Sequence, residues 1–452
     1  MINLNDIKQV YLIGIGGIGM SGLARYFYQK GFLVSGYDKT STALTKALEH
    51  EGIKISYKDD AASIPAAFQQ NDAHTLIIYT PAIPKESVVF NHFKNAGFDL
   101  QKRSQVLGIL SKDAFTIAVA GTHGKTTTSS LIAHLLHVGG VDCSAFLGGI
   151  STNYNTNLLI GESNVMVVEA DEYDRSFLTL QPNIAVVTSM DADHLDIYGA
   201  EEQLHESFRL FTNQLKKGGK LIYRDGLPLN NGKTYGISTS AQAQALNVRI
   251  QNRKFYFDFK NDFIHLKNLE LGLPGQHNIE NAVAAIEVAL ALDINPDLVR
   301  EGLTSFKGVK RRFEYQLQTE NLIYIDDYAH HPEELKACFA AVRSLYPDKK
   351  MTVIFQPHLF SRTRDFLDNF AQILATADDL LLMEIYPARE LPIDGVTSLA
   401  LAEKISGKNV AVCNHESVIS LIKNKQPELL LTVGAGDIDT LVLPLKELLA
   451  NA

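Results

Sequence analysis

Short apolar runs alternate with helix-patterned stretches along most of the chain. In the first hundred residues, "VYLIGIG", "FLVSGYD" and "TLIIYTPAIP" predict strands, and "SGLARYFYQKG" and "STALTKALEHEG" predict the helices between them. A second series begins at "TIAVAGTHGKTTTSSLIAHLLHVGG", and a third begins at "NLIYIDDYAHHPEELKACFAAV". Strands separated by helices of this length form parallel β-α-β units, so the pattern predicts an α/β protein with three Rossmann-like domains.

The stretch from residue 242 to 272 departs from this rhythm. Its apolar and polar residues alternate, which predicts short antiparallel strands added to the central sheet. We place the domain boundaries where one β-α series gives way to the next. The predicted domains are residues 1–110, 111–313 and 314–452.

Composition narrows the class of protein. The chain has 452 residues, 46% of them hydrophobic, which gives room for about three globular domains. No run reaches the roughly 18 apolar residues of a membrane helix, and the first residues do not resemble a signal peptide. The net charge is −9, and the absence of a dense Lys/Arg run argues against nucleic acid as the main partner. With three scattered cysteines, we expect a cytoplasmic protein that interacts with neither membranes nor nucleic acid.

The segment "IAVAGTHGKTTTSS" is typical of a phosphate-binding loop between a strand and a helix. The usual pattern has a glycine where this chain has Val119, so we expect a shorter loop. In this interpretation Lys125 bridges the β- and γ-phosphates, Thr126 ligates Mg²⁺, and a helix that begins at Thr127 adds its positive dipole end. The predicted phosphate-loop residues are Gly121, Thr122, His123, Gly124, Lys125, Thr126 and Thr127.

Two further candidates follow apolar strands in the central series. Glu169 lies in "VVEADEYD" and His194 in "MDADHLD". In open α/β sheets ligands bind at the carboxyl ends of the strands, so both side chains are predicted near the phosphates. We therefore predict that Glu169 and His194 help to hold the metal.

The amino-terminal "GIGGIG" is a dinucleotide-type fingerprint. Gly14, Gly16 and Gly19 satisfy G-x-G-x-x-G, and Asp38 follows at the end of the next predicted strand. This pattern favours a bound diphosphate, but a nicotinamide cofactor and any other nucleoside diphosphate fit it equally. An NAD-dependent dehydrogenase and a nucleotide-gated binding module therefore stay open as alternatives.

The order of eight motifs resembles that of the Mur ligase family of bacterial cell-wall synthesis. They are "AGTHGKTTT", "EADEYDRSF", "DADHLDIYG", "PGQHNIENAVAA", "GVKRRFE", "DDYAHHPEE", "PHLFSRTRD" and "GAGDI". Together with the amino-terminal fingerprint, the resemblance covers essentially the whole chain. The resemblance implies that the phosphate loop binds ATP and that the fingerprint binds a UDP-sugar. It is strongest to the branch that joins L-alanine to UDP-N-acetylmuramate through an acyl phosphate, with Mg²⁺ as the metal. The sister branch, which attaches a recycled tripeptide to the same sugar, stays open as the alternative.

The resemblance also implies roles for individual residues. Lys125, His194, Arg312 and His330 correspond to catalytic positions, and His358 and Arg362 to the amino-acid site. Beyond the loop, the ATP-binding positions are His277, Asn278, Asn281, Arg312 and Asp327. The metal positions are Thr126, Glu169 and His194. The UDP-sugar positions are Gly14, Gly16, Gly17, Ile18, Gly19, Asp38 and Thr80.

The chain departs from the family pattern at two places. Several relatives have a carbamylated lysine where this chain has Phe208 and Arg209, and the alanine-adding branch also lacks that lysine. Leu359 replaces a basic residue that relatives often carry in the motif "PHLFSRT". We expect a monomer or a weak homodimer.

Overall fold

The computed structural model describes residues 4–191, 198, 201–388, 390–405 and 410–450. The chain forms two compact units. The first unit comprises residues 1–245, 259–266 and 281–303, and the second comprises residues 246–258, 267–280 and 304–452. Each unit is described by itself below.

The amino-terminal part of the first unit is a parallel sheet flanked by helices. Its strands are β1 (Gln9–Ile13), β2 (Leu33–Tyr37), β3 (Lys54–Ser56), β4 (Thr75–Tyr79) and β5 (Leu100–Lys102). Its helices are α1 (Ile18–Gln29), α2 (Ala43–His50), α3 (Val88–Asn95) and α4 (Arg103–Asp113). The strand order is β3-β2-β1-β4-β5, and every pair is parallel. The order reverses at β1, so the loop between β1 and α1 lies where such sheets bind ligands.

A second sheet occupies the rest of the first unit. Its strands are β6 (Phe115–Ala120), β7 (Ser144–Ser151), β8 (Thr156–Leu159), β9 (Val165–Glu169), β10 (Ile184–Val187), β11 (Lys220–Arg224) and β12 (Lys233–Gly236). They follow the order β12-β11-β10-β6-β9-β7-β8, and only the β7–β8 pair is antiparallel. The associated helices are α5 (Lys125–Val138), α6 (Glu201–Thr212), α7 (Gln276–Ala291) and α8 (Pro296–Ser305).

The stretch from residue 242 to 272, which departs from the alternating β-α pattern, forms three further strands. They are β13 (Ala243–Gln251), β14 (Lys254–Lys260) and β15 (His265–Leu271), and they are consecutive neighbours beyond β12. A two-residue connection joins β13 to β14, which only an antiparallel pair permits. The predicted antiparallel addition is confirmed, and its first strand, β13, joins β12 in parallel.

The third sheet lies in the second unit. Its strands are β16 (Glu314–Gln318), β17 (Ile323–Asp327), β18 (Met351–Phe355), β19 (Asp379–Met383), β20 (Val410–Cys413) and β21 (Leu429–Val433). Its helices are α9 (Pro332–Leu345), α10 (Phe360–Asp365), α11 (Leu367–Leu374), α12 (Ser398–Lys404), α13 (His415–Lys425) and α14 (Val442–Ala450). The order is β16-β17-β21-β18-β19-β20, and all pairs except β16–β17 are parallel. The α/β fold with three sheets agrees with the sequence prediction.

One hydrophobic cluster joins the two sheets of the first unit. It contains Leu23 of α1, Phe146 of β7 and Val168 of β9. The rings of Tyr26 and Phe146 lie 5.5 Å apart, so α1 packs directly on the edge of the second sheet. Among the described helices, none combines the length and apolar character needed to cross a membrane.

Candidate active site

The phosphate loop leaves the end of β6. Val119 and Ala120 are fully buried, and Val119 pairs with Val186 of β10. The strand therefore continues through the position of the usual first glycine, which explains the short loop. Gly124 caps α5 with φ of +82°, a left-handed conformation that favours glycine. The helix begins at Lys125, so the predicted start at Thr127 was wrong by two residues.

Two hydroxyl residues after β10 fix the shape of the loop. The backbone N–H of His123 donates to Ser189 Oγ at 2.7 Å, and Thr188 Oγ1 donates to the Ala120 carbonyl at 3.1 Å. The sequence interpretation missed both residues. The sequence gives one indication of these residues, a Thr-Ser pair directly after an apolar strand. This arrangement is common in turns, so it does not indicate a specific role. The loop is thus anchored before any ligand binds.

Lys125 is held in a buried ion pair. Its Nζ lies 2.8 Å from Glu172 Oε2 and donates to the Gly121 carbonyl at 2.6 Å. Burial alone would lower the pKa of Lys125, but the carboxylates of Glu172, Asp171 and Glu169 outweigh it and raise the pKa above its ordinary value. The same burial raises the pKa of Glu172. Lys125 is therefore a charged group directed at the loop.

Thr126 and Glu169 come together as the sequence predicted. Thr126 Oγ1 donates to Glu169 Oε1 at 3.1 Å, and the N–H of Gly148 donates to Glu169 Oε2 at 2.9 Å. Adjacent oxygens around an octahedral Mg²⁺ lie roughly 2.9 Å apart, so this pair fits one edge of such a shell. Mg²⁺ needs few protein ligands when phosphates and water supply the others. In the described ranges no group of three or more His, Cys, Asp or Glu residues forms a metal cluster, and His194 lies outside those ranges.

A cavity connects the fingerprint to this carboxylate. It has a volume of about 260 Å³, and Thr80, Arg103 and Glu169 line it together with the residues from Gly17 to Gly19. Of the predicted UDP-sugar positions, Gly17, Ile18, Gly19 and Thr80 thus share a cavity with Glu169. Gly14, Gly16 and Asp38 are not among its lining residues.

Asp38 and Gly14 support the fingerprint loop. Asp38 Oδ2 accepts a hydrogen bond of 2.8 Å from the Gly16 N–H. Gly14 has φ of +84°, and a Cβ there would lie 2.6 Å from Thr80 Cγ2. Both residues therefore shape the loop whose next residues line the cavity.

In the second unit, Asp327 ends β17 and is buried. Its two carboxylate oxygens accept hydrogen bonds from the backbone N–H groups of Phe313 at 2.7 Å and Ala329 at 2.8 Å. Burial raises the pKa of Asp327 to about 6 despite the opposing charge of Arg312. Asp327 thus ties the segment after β17 to the segment that carries Arg312.

Arg312 and His330 meet around Tyr328 and Glu334. The Arg312 guanidinium lies 5.0 Å from the centre of the Tyr328 ring, and its Nη1 lies 3.8 Å from Glu334 Oε1. His330 Nδ1 lies 2.9 Å from the Tyr328 carbonyl and 3.3 Å from Glu334 Oε2. Burial lowers the pKa of His330. The negative charge of Glu334 raises it, but by less, so the pKa stays below its ordinary value. The sequence interpretation missed Glu334, which it would have placed in an ordinary first helical turn.

The predicted amino-acid residues adjoin this group. The rings of His330 and His358 lie 5.6 Å apart, and His358 stacks on Tyr386 at 5.7 Å. Arg362 is 7% exposed. Burial has the largest effect on the pKa of His330 and lowers it, Glu334 opposes this, and the positive charge of Arg362 lowers the pKa further. The second unit therefore brings His330, His358 and Arg362 together.

The predicted adenine positions divide between the units. His277 and Asn278 belong to the second unit and Asn281 to the first, although all three lie on α7. Asn278 Nδ2 donates to the Pro274 carbonyl, and the Asn281 carboxamide oxygen lies 2.8 Å from where a Cβ on Gly124 would be. Asn281 is thus placed beside the phosphate loop.

Fold and site together define a phosphate-loop α/β protein with a second nucleotide-type fingerprint. Three family models match the chain: "Mur ligase family, catalytic domain" over residues 9–114, "Mur ligase middle domain" over residues 119–289, and "Mur ligase, glutamate ligase domain" over residues 311–436. The chain belongs to the Mur ligase family.

Relatives of known name resemble the chain over its full length. UDP-N-acetylmuramate–L-alanine ligase of Christiangramia forsetii is 48% identical over 451 residues, with 100% of each chain covered. The crystal structure of UDP-N-acetylmuramate-alanine ligase from Thermotoga maritima matches with a TM-score of 0.83 at 26% identity, covering 97% of this chain and 98% of that one. A murein peptide ligase from Psychrobacter arcticus matches with a TM-score of 0.72 at 23% identity, covering 98% and 99%, and shares the fold.

Proposed function

We propose that this chain is an ATP-dependent ligase that joins L-alanine to UDP-N-acetylmuramate. The name of the 48% identical relative supports this substrate pair over the tripeptide alternative. The observation that carries the proposal is the cavity that Gly17–Gly19 and Glu169 share. A UDP-sugar whose diphosphate lies on the fingerprint can direct its free carboxylate along this cavity towards the phosphate loop.

The reaction divides into two balanced steps. The carboxylate oxygen of the sugar attacks the γ-phosphorus of ATP, the bond to the β-phosphate oxygen breaks, and ADP leaves with that electron pair. The neutral amine of alanine then attacks the carbonyl carbon of the acyl phosphate, and the carbon–oxygen bond to phosphate breaks. The nitrogen loses a second proton as inorganic phosphate leaves and the amide forms. Before this attack the alanine ammonium loses one proton. Phosphorylation is needed because an unactivated carboxylate has a poor leaving group.

Charge neutralisation is the main task of the protein in the first step. Lys125 lies at the start of α5, where its ammonium and the helix amino terminus both favour the γ-phosphate. By the resemblance to the family, Arg312 would supply a second positive charge. Thr126 and Glu169 would hold one Mg²⁺ and His194 would help to hold a second, and the ions would offset the negative charge that develops on the transferred phosphoryl group.

We assign the remaining predicted residues to substrate recognition. Residues 1–110 bind the UDP-sugar, 111–313 bind ATP, and 314–452 bind the amino acid. His277, Asn278 and Asn281 recognise adenine, and Asp327 orients the segment beside the ribose. His330 acts on the phosphate side, and His358 and Arg362 bind alanine. The enzyme works in the cytoplasm as a monomer or weak homodimer.

The side chain of Arg362 supports an amino-acid substrate. A buried guanidinium is suited to bidentate capture of the alanine carboxylate. The segment "YPARE" returns to the same place, because Glu390 Oε2 accepts a hydrogen bond of 2.9 Å from the Ser361 N–H. The motif that carries Arg362 and the segment "YPARE" thus adjoin, and we assign the binding of alanine to this place.

The test is a complete reaction with UDP-N-acetylmuramate, ATP, MgCl₂ and L-alanine, with each component omitted in turn. ADP, phosphate and the amide product should form together only when all four are present. Lys125→Ala should abolish ADP formation while UDP-N-acetylmuramate still binds, because the two sites use different loops. Tight binding of NADH without any binding of the UDP-sugar would contradict the proposal and favour a dehydrogenase.

A further inference from the structure

The helix that carries the fingerprint is attached to the phosphate-loop sheet by a buried polar network. Helix α1 begins at Ile18, inside the cavity that also contains Glu169. Its flank packs on β7 and β8, at the edge of the second sheet. The distance from the fingerprint to the phosphate loop therefore depends on how α1 is seated on that edge.

Asn157 of β8 is the centre of the network. It is 1% exposed and uses both ends of its carboxamide. Nδ2 donates to the Ile18 carbonyl at 2.5 Å and to Ser21 Oγ at 3.0 Å, and Oδ1 accepts from Arg25 Nη1 at 2.6 Å. One side chain of the second sheet thus bonds to three positions along one side of α1, beginning at its first residue.

Arg25 extends the network to Glu51, the residue that caps the carboxyl end of α2. Its Nε donates to both carboxylate oxygens of Glu51 at 2.9 Å, and its Nη2 lies 2.6 Å from Glu51 Oε1. A fork of this kind fixes the orientation of the guanidinium as well as its position. Nη1 is thereby presented to Asn157 in one direction.

Apolar packing alone would not define this seating to the same degree. Apolar contacts such as that of Tyr26 with Phe146 are non-directional, whereas the hydrogen bonds of the Asn157 carboxamide require one arrangement of their partners. A shift of α1 along β8 would leave buried polar groups without partners, which is unfavourable. The network therefore selects one register between the fingerprint helix and the second sheet.

We propose that Asn157 is a positioning residue for the ligation reaction, and that it acts by fixing the fingerprint helix relative to the phosphate loop. This inference rests on the proposed function, because it assigns Asn157 to the alignment of the sugar carboxylate with the γ-phosphate. Asn157 also lines the cavity, but its carboxamide is bonded to Ile18, Ser21 and Arg25, so loss of the network should leave the separate binding of each substrate largely intact. The alignment of the two reacting groups should suffer instead.

The experiment compares Asn157→Ala with Asn164→Ala. Asn164 is an exposed residue of the same type in the first unit, and it donates to the Asp113 carbonyl at the far end of α4. Misplacement by about 1 Å can lower a rate by about a hundredfold, so we expect kcat of Asn157→Ala to fall by roughly 10- to 100-fold. Dissociation constants for UDP-N-acetylmuramate and ATP, each measured alone by calorimetry, should change by less than about threefold. Asn164→Ala should match the wild type in all three quantities.

Two further readouts separate positioning from a purely structural role. The ratio of phosphate released to amide formed should rise above one in Asn157→Ala, because a misaligned acyl phosphate is lost to water. Arg25→Met should lower kcat in the same direction, and the double variant should be no worse than the more damaging single variant. Ser21→Ala, which removes one acceptor, provides a milder test if Asn157→Ala does not fold.

The outcomes are distinguishable. Wild-type kcat in Asn157→Ala, or a loss of kcat matched by an equal weakening of UDP-N-acetylmuramate binding, would overturn the positioning role. A melting temperature that falls in proportion to kcat across all the variants would overturn it as well. Absence of amide from the wild-type reaction would overturn the proposed function, and the positioning role with it.

Discussion

Lys125 and Glu172 form a buried ion pair, with Nζ 2.8 Å from Oε2 and with Glu172 only 1% exposed. The pair places the lysine of the phosphate loop beside the acids that follow β9. It also means that Lys125 is neutralised by protein in this structure. A γ-phosphate that contacts Lys125 has to compete with Glu172 for its ammonium.

Removal of one partner should reveal the cost of an uncompensated buried charge. We expect Glu172→Ala to lower the free energy of unfolding by about 3 kcal/mol, the magnitude usual for breaking a buried pair. Lys125→Met combined with Glu172→Leu should recover most of that loss, because neither charge is then buried. Denaturation in urea measures both effects.

The matched control is a pair on the surface. Lys102 and Asp174 lie 2.8 Å apart with side chains 40% and 42% exposed. Lys102→Met should change the free energy of unfolding by no more than about 1 kcal/mol. If Lys102→Met and Glu172→Ala lowered the free energy of unfolding equally, burial would not be the reason for the large effect expected of Glu172→Ala.

Glu169 is expected to be essential to turnover through the metal. Glu169→Gln keeps the size of the side chain and removes its charge, so we expect kcat to fall about a hundredfold or more at saturating Mg²⁺. Chelation with EDTA should abolish wild-type activity, and added Mg²⁺ should restore it. Near-normal turnover of Glu169→Gln would contradict the role in metal binding. The only role left to Glu169 would then be to accept the hydrogen bond from the Gly148 N–H.

Asp327 should make stability depend on pH in a defined direction. Its pKa is about 6 in the folded protein against an ordinary value of 3.8, so folding favours the protonated form. The stabilisation that it provides is complete below about pH 4 and is lost as the pH rises through 6. The stability of the wild type relative to Asp327→Asn should therefore decline by about 2 kcal/mol between pH 4 and pH 7, at roughly 1.4 kcal/mol per pKa unit.

Urea denaturation across this range provides the measurement. Asp348→Asn, which removes an exposed carboxylate from the same unit, is the control. A stability gap between wild type and Asp327→Asn that widens as the pH rises would show that the sign is wrong.

Arg362 and Arg364 offer a close comparison at the amino-acid site. Arg362 is 7% exposed, whereas the side chain of Arg364 is 54% exposed and pairs with Asp365. A charge-assisted hydrogen bond contributes about 1.5 kcal/mol or more, so Arg362→Ala should raise KM for alanine about tenfold or more. KM for ATP should stay close to the wild-type value, and Arg364→Ala should leave both constants unchanged. Equal effects of the two substitutions would argue against capture of the alanine carboxylate by Arg362.

Local patterns were sufficient to predict the fold and one contact within the candidate site. Apolar runs, capping residues and glycine turns predicted the three β-α series and the antiparallel addition, because each depends on residues close in the chain. The carboxyl ends of parallel strands meet at one edge, so the neighbourhood of Thr126 and Glu169 also followed from the sequence.

The partners that depend on tertiary burial could not be predicted in this way. Glu172 is one of four acidic residues in "EADEYD", and the sequence alone does not indicate which of them faces Lys125. Glu334 looked like an ordinary acidic residue in a helical first turn, yet it contacts both Arg312 and His330. Asn157 had no motif at all, since its role comes from the packing of two sheets.

The choice between L-alanine and the tripeptide as acceptor is the sharpest test of the proposed ligase. One assay contains UDP-N-acetylmuramate, ATP and Mg²⁺, with L-alanine or the tripeptide offered in parallel, and phosphate release is followed with mass analysis of the products. We predict rapid amide formation with L-alanine, slower reaction with serine and glycine, and none with the tripeptide. Faster phosphate release and product formation with the tripeptide would contradict the assignment.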